Sequence, residues 1–151
     1  MVYPYDQTVF PLGLSAPLVM WKRATTAVAA KAVKVSLRYP TTGTATFQWS
    51  AIVAEGSQRY QIPQTAWAAF DQTAKGNTGL LTVQRFDSTS KLQAPISVNL
   101  KFATANLRGR IYYTNYGSTP DVKVVFPYGT AAPTSAFTPP LAANCGVCHS
   151  L

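Results

Sequence analysis

A chain of 151 residues can close one ordinary hydrophobic core and is too short for two. Only 12% of its residues are charged, where about 25% is usual for a soluble domain, and no apolar run approaches the length of a membrane span. A net charge of +8 raises nucleic acid and anionic membranes as partners, but the basic residues are scattered, with no basic block and no nucleic-acid motif, which argues against both. A basic face remains compatible with docking to an acidic redox partner.

The start, Met1-Val2-Tyr3-Pro4-Tyr5-Asp6, has neither the basic nor the apolar segment of a secretory leader. Residues 1–21 read as an extended lead-in. Thr8-Val9-Phe10-Pro11 and Pro17-Leu18-Val19-Met20-Trp21 form two short edge strands broken by proline, and Trp21 is a core anchor. Residues 24–32 read as a loop in preference to a helical turn. Val33, Val35, Leu37 and Tyr39 then alternate with Lys34, Ser36 and Arg38, which gives a strand with one buried and one wet face. Pro40-Thr41-Thr42-Gly43 turns the chain into a second strand, Thr46 to Val53, whose Trp49 resembles the central tryptophan of an immunoglobulin-like sandwich.

After a turn at Glu55-Gly56-Ser57, Arg59 to Ile62 make a short strand. Residues 63–74 are helical: Pro63 suits the first turn, Trp67 and Phe70 share a face, and Gly76-Asn77 with Gly79 close the helix. Strands follow at Leu80 to Phe86, at Ile96 to Phe102 with clean alternation, at Arg110 to Tyr116, and at Val122 to Phe126. Short alternating strands separated by turn signals predict an all-β, antiparallel sandwich of immunoglobulin-like or fibronectin type III-like kind over residues 1–126. Residues 127–151, rich in Pro, Ala and Thr, lack apolar periodicity and predict an extended tail.

That tail ends in Cys145-Gly146-Val147-Cys148-His149, which holds both cysteines and the only histidine. The spacing is that of a c-type haem attachment site, with a thiol for each porphyrin vinyl group and an adjacent imidazole as proximal ligand. A structural zinc site wants four ligands where three stand here. A dithiol switch would sit at the start of a helix in an α/β fold, and a local disulfide is the plain alternative. Met20 is the nominal sixth ligand, with Met1 a weaker one, although a methionine beside Trp21 reads first as core filler. Covalent haem implies a periplasmic, cell-surface or extracellular location and a leader outside this chain. With Ser150-Leu151 the last residues, the haem walls would come from further sequence, so the chain reads as a segment of a longer protein.

Hydrolytic chemistry finds no support. His149 belongs to the cysteine motif, which leaves no base for a serine nucleophile, and the acids Asp6, Glu55, Asp71, Asp87 and Asp121 show no paired spacing. Gly76-Asn77-Thr78-Gly79 is turn chemistry rather than a phosphate loop. Tyr112, Tyr113, Tyr116 and the tryptophans would suit a carbohydrate- or protein-binding platform, but strand tyrosines read first as sheet packing.

Three stretches carry a resemblance: Tyr3 to Leu14 with Ala16-Pro17 and Trp21, Gln61 to Trp67, and Leu107 to Tyr116. Together they resemble the immunoglobulin-like region of large exported proteins of myxobacteria and related bacteria. In that family such a region leads into a Cys-x-x-Cys-His site and then a β-propeller. The resemblance implies a haem-bearing role for Cys145, Cys148 and His149 alone. The expectation is an exported, non-catalytic β-module whose tail tethers haem c for electron transfer, with a redox protein or further domains of the same protein as partner. The alternative is an immunoglobulin-like adhesion or ligand-binding module with a terminal disulfide and no cofactor.

Overall fold

The computed structural model describes residues 1–22, 30–56, 58–87, 89, 91–115, 121–125 and 134–135. The chain forms two compact units, one of residues 1–12 and 16–106, the other of residues 13–15 and 107–151. The first holds strands β1 (Val9–Leu12), β2 (Leu18–Met20), β3 (Ala30–Tyr39), β4 (Phe47–Val53) and β5 (Arg59–Gln61), helix α1 (Gln64–Thr73), and strands β6 (Thr78–Asp87) and β7 (Ile96–Asn106). The second holds β8 (Ile111–Asn115), β9 (Asp121–Val125) and β10 (Thr134–Ser135), an antiparallel sheet in the order β10-β9-β8. Among the described residues no helix is long and apolar enough to cross a membrane.

In the first unit five strands pair in the order β1-β7-β6-β3-β4, and β2 pairs with β5 in a separate ribbon. The β-rich composition with one short helix follows the sequence expectation. One pairing departs from the antiparallel arrangement: β1 runs parallel to β7, so the sheet is mixed. The period-2 pattern fixes the register, because a slip by one residue would expose the whole apolar set. Val33, Val35 and Leu37 face Val53, Ala51 and Trp49 across β4, while Val35 and Leu37 face Val83 and Leu81 across β6. Val33, Val35, Leu37 and Leu81 are fully buried.

Helix α1 closes this inner face. At ten residues it is too short to persist alone and depends on its packed side. Trp67, Phe70 and Asp71, at helical spacing, form that buried side. Trp67 and Phe70 meet the Phe102 ring at centroid distances of 5.6 and 5.1 Å, Trp67 meets Phe10 at 5.1 Å, and Phe70 meets Phe47 at 5.3 Å. These ring contacts join the helix to β1, β4 and β7. Pro63 precedes its first turn, where a missing N–H costs nothing, and its carbonyl accepts from the Trp67 N–H at 3.0 Å. Two glutamines tie the approach to β2: the Ala16 N–H donates to Gln64 Oε1 at 2.8 Å, and Gln61 Nε2 donates to the Ala16 carbonyl at 2.8 Å.

Three details differ from the sequence reading. Gly79, expected to close the helix, lies inside β6 opposite Leu100. A Cβ there would collide with the edge of the Phe70 ring and come within 3.3 Å of Phe102 Cε2, so the glycine makes room for the aromatic core. Trp49 is half-buried on the edge strand β4 and stacks on Tyr60 with centroids 6.3 Å apart. The tryptophan at the core centre is Trp67, supplied by the helix. Finally, β3 starts at Ala30, inside the stretch read as a loop; residues 23–29 lie outside the described residues.

Two substitutions test this packing by urea unfolding. Trp67→Ala is expected to cost about 3–5 kcal/mol, and Gly79→Ala about 1–3 kcal/mol because the buried ring has nowhere to move. Gly56→Ala, where an added Cβ meets open space, serves as the control and should change stability by less than about 0.5 kcal/mol. A Gly79→Ala protein as stable as its parent would show that Phe70 is not seated against β6.

Candidate functional site

Cys145, Cys148 and His149 lie outside the described residues, as does Tyr116. The donor chemistry of the motif itself suits haem c: two thiols for thioether bonds and an imidazole for iron. Among the described residues no grouping of His, Cys, Asp and Glu could hold a metal ion. Met20, the nominal sixth ligand, lies half-buried at the end of β2. Its backbone is held by Tyr3, whose carbonyl accepts from the Met20 N–H at 2.8 Å.

Trp21 and Trp67 are buried, Trp49 is stacked on Tyr60, and Tyr112 on β8 is 44% exposed. Among the described residues the indole N–H groups of Trp21 and Trp67 find no hydrogen-bond partner. Burial of the phenol pushes Tyr3 above the ordinary tyrosine value.

The carboxylates are structural in placement. Glu55, in the turn after β4, is buried, and its two oxygens serve two strands. Oε2 accepts from the Ala30 N–H at 2.7 Å, and Oε1 accepts from Arg85 Nε on β6 at 2.5 Å. This one acid pins the start of β3 against its neighbour, a function that composition and spacing did not reveal. A glutamate in a Glu-Gly-Ser turn carries no periodic signal, and its partners stand 25 and 30 residues away. Asp71 is buried on the helix. Asp6 bridges the lead-in to β7, where the Asn99 N–H donates to its Oδ1 at 2.7 Å. Asp87 accepts from the Thr89 hydroxyl at 2.7 Å and the Lys91 N–H at 2.9 Å, which closes the turn after β6.

No protein-family model, no curated protein and no solved structure matches the chain.

Two outcomes are expected from these contacts. Glu55→Ala should lower unfolding stability by roughly 3 kcal/mol, since it removes the ion pair to Arg85 and the acceptor of the Ala30 amide. The Glu55→Leu/Arg85→Leu pair should cost less than Glu55→Ala, because both charges are removed together. The second concerns acid. The Asn99 amide lowers the Asp6 value, and the Thr89 hydroxyl lowers that of Asp87. Folded values below unfolded ones mean that the unfolded chain takes up protons first as the pH falls. Their stabilisation is therefore complete above the ordinary carboxylate range and disappears as the pH falls through the lowered values. Urea midpoints measured from pH 7 down to about pH 2 should decline below about pH 4. That decline should be shallower in Asp6→Asn/Asp87→Asn; an unchanged slope would remove these two acids from the account.

Proposed function

We propose that the chain is an exported, non-catalytic β-module, immunoglobulin-like or fibronectin-like in kind, whose C-terminal segment holds haem c through Cys145, Cys148 and His149 for electron transfer. One observation carries the reading: both thiols and the only imidazole of the chain stand together at haem-attachment spacing. Cys145 and Cys148 would hold the porphyrin by thioether bonds, each S–H adding across one vinyl group with the sulfur on one carbon and the proton on the other. His149 would supply an imidazole ligand to the iron. Bound haem supplies a one-electron couple tuned by its axial ligands and burial.

A body packed on rings and β-pairings suits a carrier, because a rigid scaffold can present a redox group without contributing to its chemistry. The partner in this reading is a redox protein or a further domain of the same protein, outside the cytoplasm.

The deciding measurement is a visible spectrum of the chain exported together with c-type haem maturation machinery. A Soret band that stays with the polypeptide through acid-acetone extraction is expected, and Cys145→Ser/Cys148→Ser should abolish it. A colourless product with a Cys145–Cys148 disulfide would replace this reading with that of an adhesion or ligand-binding module without cofactor.

A further inference from the structure

The five-stranded sheet has a second face that α1 does not cover. The residues that alternate with the buried apolar set lie on it, and the register sets them in rows across the strands. Ser36 stands opposite Ser50 of β4 and Thr82 of β6, and Thr82 stands opposite Ser97 of β7. These four hydroxyls make a ladder from the edge strand across the sheet, and Thr82 Oγ1 lies 2.8 Å from Ser97 Oγ. Each residue of the ladder is exposed or half-buried.

Cations flank the ladder. Lys34, between Ile52 and Gln84, is on one side of it, and Arg38, between Gln48 and Leu80, is on the other. Arg38 is held in place by the turn, where its guanidinium donates to the carbonyls of Pro40 and Gly43. Exposed Lys101 on β7 adds a third charge. No acid stands on β3, β4 or β7, and Asp87, the one acid of β6, ends that strand with its carboxylate occupied by the Thr89–Lys91 turn. Asp6 sits at the β7 margin, bound to the Asn99 N–H. Beyond Lys34 the face runs into an open apolar depression of about 300 Å³ lined by Lys31, Ala32, Ile52 and Phe86.

We infer that this face binds an acidic polysaccharide, a chain that carries carboxylates at intervals among sugar hydroxyls. Charge spacing decides the class of partner. Lys34 and Arg38 lie about 13 Å apart along β3, and Lys101 lies two strands from β3, about 10 Å across. Duplex nucleic acid carries a charge about every 1.7 Å and calls for denser cations, while single strands call for exposed stacking rings. Anionic membranes recruit clusters of about four to eight basic residues. A protein partner would want an aromatic and apolar centre, and the centre of this face is a row of hydroxyls. Sparse cations set among hydroxyls and amides match a sparsely charged, hydroxyl-rich polymer. The depression receives the apolar face of a sugar ring at one end of the site.

The experiment uses the full chain and polygalacturonate as the probe, with dextran and duplex DNA of similar length for comparison, read by calorimetry at low salt. Binding to polygalacturonate is expected, stronger than to DNA and absent with dextran. Lys34→Gln/Lys101→Gln should weaken it about tenfold, in keeping with the loss of two solvent-exposed ion pairs. Ser50→Glu, which puts a carboxylate at the head of the ladder, should weaken it as well. Lys75→Gln, beyond the end of α1, should leave it unchanged, and so should Cys145→Ser/Cys148→Ser, because this inference is independent of the haem reading. The inference is overturned by no binding to polygalacturonate, by stronger binding to DNA, or by a Lys75→Gln effect equal to that of the double variant.

Discussion

Phe70 is the pivot of the first unit. Its ring packs against Phe47 of β4 on one side and Phe102 of β7 on the other, and β6 offers only the bare backbone of Gly79 beneath it. The helix that carries it is short and has no side-chain cap at its N-terminus, so its stability comes from these rings and from Trp67. Because β1 and β7 contribute Phe10 and Phe102 to the same cluster, the parallel pairing of those strands is part of the same packing event. Removing one ring loosens helix and sheet together.

Closing one face of the sheet so fully leaves the other face to solvent. The alternation that delivers Val33, Val35 and Leu37 to the core delivers Lys34, Ser36 and Arg38 outward. On that side few carboxylates balance the lysines and arginines, because the acids of this unit are used elsewhere. Glu55 holds β3 to β6, Asp71 is buried in the helix, and Asp6 and Asp87 satisfy backbone amides. Lys34, Arg38 and Lys101 on this face therefore have no carboxylate directly opposite them in the register.

The proposed haem site and the proposed polysaccharide face occupy different parts of the chain. The first rests on chemistry written into consecutive residues at the C-terminus. The second rests on residues drawn from four strands and assembled only by register. A surface-exposed carrier that adheres to an acidic matrix while presenting a redox group would use both, and neither requires the body to catalyse anything.

The amino-acid sequence by itself determined the strands with clean alternation, the helix after Pro63 and the turn at Pro40 to Gly43, because those signals are local and of short period. It also determined the one chemically specific motif, since Cys145, Cys148 and His149 are neighbours in the chain. Only the tertiary structure decided that β1 joins β7 in parallel, that Gly79 is a packing residue rather than a helix stop, and that Trp67 instead of Trp49 fills the core. The same holds for Glu55 and for the hydroxyl ladder. Each depends on which distant residues become neighbours, and that is set by burial of the whole apolar face at once rather than by any window of sequence.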